Sequence, residues 1–452
     1  MEIIPFVHEG LGNSSYLVTL NADTASLIDP DRSVGRYLRA AEASGLRIST
    51  VFETHLHADF VTGSLEIAKA TGAAIFVPGE GGVHYPHQPL QPGERVPLEG
   101  TEVEAVASPG HTPEHLSYVF RRQGCEPALF SGGSLIVGGA ARTDLISPAL
   151  TDDLTRAQYH TLSEAFSALP DDTLLYPTHG GGSFCSAGSG GERTSTLGRE
   201  RVSNPMLSIQ DEEEFARWFP TTFPAAPSYF FHMRPINQAG PRLRKEIADP
   251  PALTPQEFRR RAEGGLIVDV RSTDEYARAH IGGSLSNTFR SSYATWLGWL
   301  VPLGTPLLFV TDDVPLENVL NETLLVGQER FVGWLGSGIA AWEAAGLPLQ
   351  SMEVIDAATA RGMIGEGAAA LDVREMGEFA SGHVQGAIHV PLGSLQQRLD
   401  DVPRDRLVVT YCGMGERSTS AASILERAGF RPVLNLKGGI RTWKEAGYEV
   451  AV

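Results

Sequence analysis

Cys412 ends the apolar run at 407–411 and is followed by Gly413, Met414, Gly415, Glu416, Arg417 and Ser418. A cysteine at a strand end, facing the start of a helix, is placed where its thiolate is favoured. The N–H groups of residues 413–418 can turn inward around the sulfur, and the helix dipole adds positive potential there. The thiolate is the nucleophilic form, so this pattern points to covalent chemistry at Cys412. Arg417 closes a Cys-x-x-Gly-x-Arg loop, and its rigid fork suits an anionic donor or acceptor. Gly413 and Gly415 permit the tight curl. Cys412 and Arg417 are thus the candidate catalytic pair, with Gly413, Met414, Gly415, Glu416 and Ser418 as the surrounding binding loop.

A second constellation lies far upstream. His55, His57 and Asp59 alternate just after an apolar stretch, His111 sits in a Pro-Gly turn, and His179 ends another apolar stretch. Alternate residues in extended backbone project to one side, so side chains of these types can converge on a metal. His55, His57 and His111 can supply three neutral imidazoles, leaving an open position for water. Asp59, or less readily Asp144, is the candidate carboxylate. His84 and His87 read as surface residues, and His115 as a local hydrogen-bonding group. Cys185, in the glycine- and serine-rich stretch at 180–200, either meets this site or lies on the surface; the stretch is expected to border the substrate entrance.

These residues need elements to hold them. Up to about residue 245, short apolar runs near 15–20, 25–30, 48–55, 73–78, 102–110, 115–120, 128–137 and 173–181 end in Gly, Pro, Asp or His, with helical patterns at 34–44, 65–71 and 154–169 between them. Such alternation predicts a layered α/β arrangement. A helix-prone basic stretch at 241–248 and the Asp249-Pro250-Pro251 cluster mark a boundary. Beyond it the sequence repeats: Asp269, Arg271, Glu275, His280 and Gly283 match Asp372, Arg374, Glu378, His383 and Gly386 at one constant offset, and Trp342 matches Trp443. Tandem copies of a domain of ~100 residues explain this. Three domains are therefore expected, at 1–245, 250–350 and 351–452. In the first copy Asp312 stands where the second has Cys412, and no arginine matches Arg417, so that copy is expected to be inert.

Composition narrows the partners. The chain has 452 residues, a formal charge of −18 and only three cysteines, Cys125, Cys185 and Cys412. The acidic balance argues against nucleic acid or an anionic membrane surface, and so few thiols, so widely spaced, argue against a disulfide framework. No leader pattern or long apolar run appears. A cytoplasmic protein acting on small molecules is the expectation, with a homo-oligomer left open.

The signature D-V-R-x-x-x-E-[FY]-x-x-x-H-[VI]-x-G-A followed by YCGMGERS resembles the rhodanese family across both halves of 250–452. The resemblance implies parallel-sheet α/β domains and a cysteine that carries sulfane sulfur as a persulfide, taken from thiosulfate or a thiol persulfide. It gives Asp372, Arg374 and His383 structural roles. A Cys/Arg phosphatase has a wider loop, with one residue more between Cys and Arg than the four found here.

The upstream block, with T-H-x-H-x-D, P-G-H-T, A-R-T-D-L and Y-P-T-H-G-G-G-S, resembles the metallo-β-lactamase superfamily. Joined to the repeats, it is most similar to persulfide dioxygenases and their rhodanese fusions. That implies an αββα sandwich and a single Fe(II), with oxidation of a low-molecular-weight persulfide, glutathione persulfide by family analogy. Two departures bear on the metal. Phe60 replaces a second-metal histidine, and Gly133 stands where the family has an aspartate ligand. Zn(II) is therefore an alternative occupant. Two other readings stay open: a mononuclear thioester hydrolase of the glyoxalase-II kind with an accessory sulfurtransferase, and a sulfur-carrier scaffold whose metal domain has no catalysis.

Overall fold

The apolar runs of the first half become strands of two six-stranded sheets. In the first sheet β1 (Ile3–His8), β2 (Asn13–Thr19), β3 (Thr24–Ile28), β4 (Arg47–Phe52), β5 (Ala74–Pro78) and β6 (Gln88–Leu90) lie side by side in sequence order. The first three pair antiparallel and the rest parallel. The second sheet contains β7 (Arg95–Leu98), β8 (Thr101–Ala107), β9 (Leu116–Arg122) and β10 (Ala128–Gly132). A two-residue strand β11 (Ala140–Ala141) precedes β12 (Leu174–Pro177), which pairs parallel to β10. β13 (Ser186–Ala187) pairs with β11, and β14 (Ser195–Thr196) completes the second sheet beside β12.

Inward side chains of the two sheets, among them Tyr16, Ile28, Phe52, Val103, Tyr118 and Phe130, form one buried cluster. The outer face of the first sheet packs Leu17, Leu27 and Val51 against Tyr37 and Ala41 of the helix Gly35–Ala43. The outer face of the second packs Val119, Leu129 and Leu175 against Leu162, Phe166, Phe215 and Phe219. The result is an αββα sandwich, as the sequence led us to expect.

The computed structural model describes residues 1–187 and 191–452. Residues 188–190, part of the glycine- and serine-rich stretch expected to border the substrate entrance, lie outside the described residues. Cys185 and the β13 pair just before them are buried.

The C-terminal half contains two five-stranded, all-parallel sheets with one plan. The first is ordered β15 (Ala252–Leu253), β19 (Phe331–Leu335), β18 (Leu307–Val310), β16 (Leu266–Asp269), β17 (Leu285–Ser286). The second is ordered β20 (Glu353–Ile355), β24 (Val433–Leu436), β23 (Val408–Tyr411), β21 (Ala369–Asp372), β22 (Ile388–His389). Both are tandem rhodanese-type α/β arrangements. The repeated Asp and Arg keep each sheet's connection in place: Arg271 holds Asp269 and Arg374 holds Asp372, each through paired hydrogen bonds. His280 and His383 stack on Tyr276 and Phe379. These are packing roles.

By compactness the chain forms two units, Met1–Ile247 with Asn321–Gln328, and Ala248–Leu320 with Glu329–Val452. The assignment of residues 321–328 to the first unit was not visible in the sequence. Its basis is local: Leu325 accepts a hydrogen bond from Val61 N at 2.8 Å, and Glu322 meets His8. The basic stretch at 241–248, expected to be helix-prone, makes one 3-10 turn at Arg244–Glu246. Pro241 and Pro250 bracket it and stop propagation.

Candidate functional site

Two sites emerge, one in each unit. In the first, the chain leaving β4 carries His55, His57 and Asp59 under the ends of both sheets, while the turns after β8 and β12 bring in His111 and His179. All five are at most 1% exposed. The ligand atoms of His55, His111 and His179 lie within 4.8 Å of one another, as do those of His57, Asp59 and His179, and those of Asp29, His55 and His57. The trio of histidines brought together therefore includes His179 in place of the His57 that spacing suggested. His57 adjoins it, with its ring centroid 4.3 Å from that of His55.

Hydrogen bonds orient the rings. His111 Nδ1 donates to the Arg142 carbonyl at 2.7 Å, and His179 Nδ1 to Asn13 Oδ1 at 3.0 Å. Each bond fixes the tautomer that leaves Nε2 as a free lone pair. His179 Nε2 and His55 Nε2 face each other at 3.3 Å. His57 Nε2 is held by Glu53 at 3.0 Å and Asp29 at 3.4 Å. His111 Nε2, His57 Nδ1 and Asp59 Oδ1 are buried without a hydrogen-bond partner. A buried orphan acceptor costs about 1–3 kcal/mol; His111 Nε2 and Asp59 Oδ1, each grouped with His179, fit a bound cation. The donor set of imidazoles with a carboxylate suits a divalent metal.

Electrostatics agree with the geometry. Burial, with neighbouring histidines adding to it, holds His55 well below the usual imidazole range and His111 down at about 3, so both are neutral. Burial opposes charge on His57 as well, yet Asp29 and Glu53 raise it to about 10. Burial also opposes the Asp59 carboxylate, but His179, His57 and the Asn13 amide hold it at about 2. Asp29 itself sits at φ 46°, an uncommon conformation for a non-glycine residue. Thr54 fixes it through its N–H and hydroxyl, both at 2.7 Å. Asp29, Glu53 and Asn13 were missed in the sequence; the Asp that ends the apolar run at 25–28 was the available signal for the first.

Asp144 does not join the cluster, because Arg142 takes both its oxygens at 2.6 and 2.8 Å. Phe60 stacks on His57 with centroids 4.2 Å apart and fills the place a histidine would need for a second ion. At Gly133 an added Cβ would lie 2.6 Å from His111 Cδ2, so the glycine is what lets the imidazole take its position. His115 has the local role expected of it, accepting from Gly133 N at 3.0 Å. Cys185 is buried rather than on the surface, and burial, with Asp59 nearby, pushes its thiol well up.

In the second unit, Cys412 directly follows β23 and is 1% exposed. The following helix runs Glu416–Arg427, with Gly415 at φ 118° forming its cap. Gly415 N donates to Sγ at 3.1 Å and the Ser418 hydroxyl lies 3.6 Å away. Among the described residues these are the hydrogen bonds to the sulfur. Of the N–H groups of residues 413–418, that of Gly415 is the one hydrogen-bonded to Sγ among the described residues. Arg417 also differs from expectation. Its fork is occupied by Glu378, with NH1 and NH2 donating to separate oxygens at 2.6 and 2.7 Å. Burial opposes both charges, but the pairing lowers the Glu378 carboxyl and raises the guanidinium. Met414 is exposed, and with Gly415, Asn435, Lys437 and Arg441 it borders a cavity of about 360 Å³ that Thr273 and Asp274 of the first copy also line.

In the first copy Asp312 occupies the equivalent strand end. Its Oδ1 accepts from Ile339 N at 3.1 Å, and Arg271 stands 3.6 Å from its other oxygen. Among the described residues no helix of the chain is long and apolar enough to cross a membrane.

Comparison with known proteins bears on both sites. Residues 8–179 match the metallo-beta-lactamase superfamily and residues 356–446 the rhodanese-like domain. The chain is similar to human mitochondrial persulfide dioxygenase ETHE1, 30% identical over 191 residues, which is 42% of this chain and 68% of that protein. It is also similar to the hydroxyacylglutathione hydrolase of Acidiphilium cryptum, 27% identical over 45% of this chain and 89% of that protein. Among solved structures, a metallo-beta-lactamase from Staphylococcus aureus subsp. aureus COL superposes with TM-score 0.65 and 29% identity, covering 74% of this chain and 98% of that one. That share exceeds the first unit, so the likeness continues into the second. The chain belongs to the metallo-β-lactamase superfamily through the unit that carries the His/Asp cluster, and joins to it a rhodanese-like domain that carries Cys412.

Proposed function

We propose that this protein is an enzyme of sulfane-sulfur metabolism, in which the first unit oxidises a low-molecular-weight thiol persulfide with O₂ and Cys412 transfers sulfane sulfur. The observation that carries the reading is Phe60 stacked on His57: it leaves one metal position where a two-metal hydrolase needs a second ligand. His55, His111 and His179, with His57 and Asp59 adjoining, would hold the ion, and Fe(II) is favoured over Zn(II) by the likeness to a persulfide dioxygenase. When bound, ferrous iron would supply electron transfer to O₂ and Lewis-acid binding of a sulfur ligand. The reaction consumes one persulfide, one O₂ and one water and yields the thiol and sulfite; the outer sulfur is oxidised and O₂ reduced. The chain's own groups orient the His179 and His111 imidazoles through Asn13 and the Arg142 carbonyl.

At the second site the Cys412 thiolate attacks the outer sulfur of thiosulfate or a persulfide. A new S–S bond forms as sulfite or the donor thiolate leaves with the electron pair of the old one. An acceptor thiolate then takes the outer sulfur, and Cys412 departs as thiolate. Gly415 N–H and the Ser418 hydroxyl steady the sulfur through both steps. The first copy, with Asp312 at the corresponding position, has no nucleophile. The division is three domains, 1–245, 250–350 and 351–452, with glutathione persulfide as the substrate of the first.

A second reading, thioester hydrolysis by a single-metal site, is favoured by the likeness to a hydroxyacylglutathione hydrolase. Metal analysis with O₂ uptake on glutathione persulfide separates the two. One iron per chain with persulfide-dependent uptake is the expected result; zinc with anaerobic hydrolysis of a glutathione thioester would replace this reading with the second.

A further inference from the structure

The chain at 57–62 carries His57, Asp59 and Phe60 through the interior without helix or strand, and every residue in it is buried. Buried backbone outside a ladder has to find its hydrogen bonds elsewhere. One side chain supplies three of them. Asn237 Nδ2 donates to the His57 and Phe60 carbonyls, both at 2.9 Å, and Asn237 Oδ1 accepts from Thr62 N at 3.0 Å. A carboxamide offers two N–H donors and one carbonyl oxygen. Here all are engaged, and two carbonyls opposite one N–H permit a single orientation of the amide. Nearby, the Tyr229 hydroxyl donates to the Asp59 carbonyl at 3.1 Å, and Val61 N donates to the Leu325 carbonyl at 2.8 Å.

Asn237 lies on the helix Phe230–Ala239, where it shares the buried face with Phe230 and Met233 at helical spacing and is 1% exposed. A polar side chain in such a core-facing row costs stability unless it is paired, and this one is paired entirely with the loop that carries the ligands. The helix is itself pinned on either side of Asn237. Arg234 holds Glu114 at 2.8 Å, and Gln238 donates to the Gly81 carbonyl at 2.8 Å. The whole anchor lies beyond the superfamily match at 8–179.

We propose that Asn237 is a positioning residue of the metal centre. Its carboxamide fixes the curve of 57–62 that sets His57 and Asp59 against His179, whose ligand atoms lie within 4.8 Å of one another. Metal affinity therefore depends on Asn237 although it is not a ligand. The proposal rests on the metal-site reading of the first unit.

The test uses the full-length protein, Co(II) as the probe ion, and the variants Asn237→Ala, Asn237→Ser and Met233→Ala. Met233 is fully buried on the same helix, so its truncation loosens the helix while leaving the three loop hydrogen bonds in place. Circular dichroism gives the folded fraction of each variant. Equilibrium dialysis should show Co(II) affinity lowered by about tenfold or more in Asn237→Ala and kept within about twofold in Met233→Ala. At saturating Co(II) the visible absorption reports the geometry of the ligands. It should differ from wild type in Asn237→Ala and match it in Met233→Ala, a change that loss of stability alone does not produce. Asn237→Ser admits water to the vacated polar groups and carries the same test if Asn237→Ala does not fold, with a several-fold loss of affinity expected. Wild-type affinity and absorption in a folded Asn237 variant, or an equal loss in Met233→Ala, overturns the role of Asn237 while leaving the metal site. Wild-type protein that binds no Co(II) overturns the reading beneath it, and the inference with it.

Discussion

The histidine cluster and the Cys412 loop solve opposite problems with the same kind of position, the end of a strand. In the first unit the strand ends collect acceptors: His111 Nε2 and Asp59 Oδ1 are buried without donors, each grouped with His179, a pocket made for a cation. In the second, the strand end meets N–H and O–H donors from Gly415 and Ser418, a pocket made for an anion. What decides the chemistry is which atoms the flanking turn aims at the strand end. The fold supplies the place, and a handful of side chains supply the sign of the charge it accepts.

If the two sites are separate, each can be removed without the other. The largest effect is expected for Cys412→Ala, which should lower thiosulfate sulfurtransfer by more than about a thousandfold with metal content unchanged; a matching loss of metal would show the sites to be one. Next comes His111→Ala. Elemental analysis and equilibrium dialysis should show metal affinity reduced by more than about a hundredfold, while sulfurtransfer through Cys412 stays within about twofold of wild type.

Gly133→Ala should follow. Its methyl group must displace the His111 ring, a strain of about 1–3 kcal/mol, so metal affinity should fall about tenfold; affinity equal to wild type would show that the cluster does not depend on that ring position. A smaller effect separates histidines within the first unit. Burial disfavours the charged form of His8, yet Glu322 holds its pKa above the usual value, unlike the neutral His55 and His111. The raised folded pKa means the His8–Glu322 pair stabilises fully below the unfolded value near 6.5 and loses that contribution as pH rises through the folded one. Denaturation of wild type against His8→Gln should show a difference below about 1 kcal/mol at pH 6 that closes toward alkaline pH; a gap widening with pH would contradict the pairing. The smallest effect is none. Asp312→Cys placed in the Cys412→Ala background should restore no sulfurtransfer, because the turn after Asp312 is closed by Val314 N on the Thr311 carbonyl and continues into Pro315, which has no N–H to offer a sulfur.

Much of this was legible from the sequence. The apolar runs near 15–20, 25–30, 48–55 and 102–110 became strands because inward residues are spaced for a sheet, and the repeat of Asp269 and Arg271 at Asp372 and Arg374 foretold two sheets of one plan. The helix expected at 154–169 instead runs Thr151–His160 and continues as a looser turn to Ala165. Its amphipathic pattern persists, but the backbone widens where Leu162 and Phe166 seat in the core. Residue types at the sites were legible; their pairings were not. Nothing in the spacing shows that Glu378, 39 residues upstream, takes the Arg417 fork, or that Glu53 and Asp29 hold His57. Long-range pairs are set by topology, and a single sequence carries little record of them.

The most direct test of the two-site account is oxygen uptake with glutathione persulfide on the iron-loaded protein, read alongside sulfite formation, for wild type, His111→Ala and Cys412→Ala. The account predicts uptake and sulfite in equal amounts for wild type, their loss in His111→Ala, and their persistence in Cys412→Ala. Iron-loaded wild type that consumes no oxygen, or uptake that vanishes with Cys412, would contradict it.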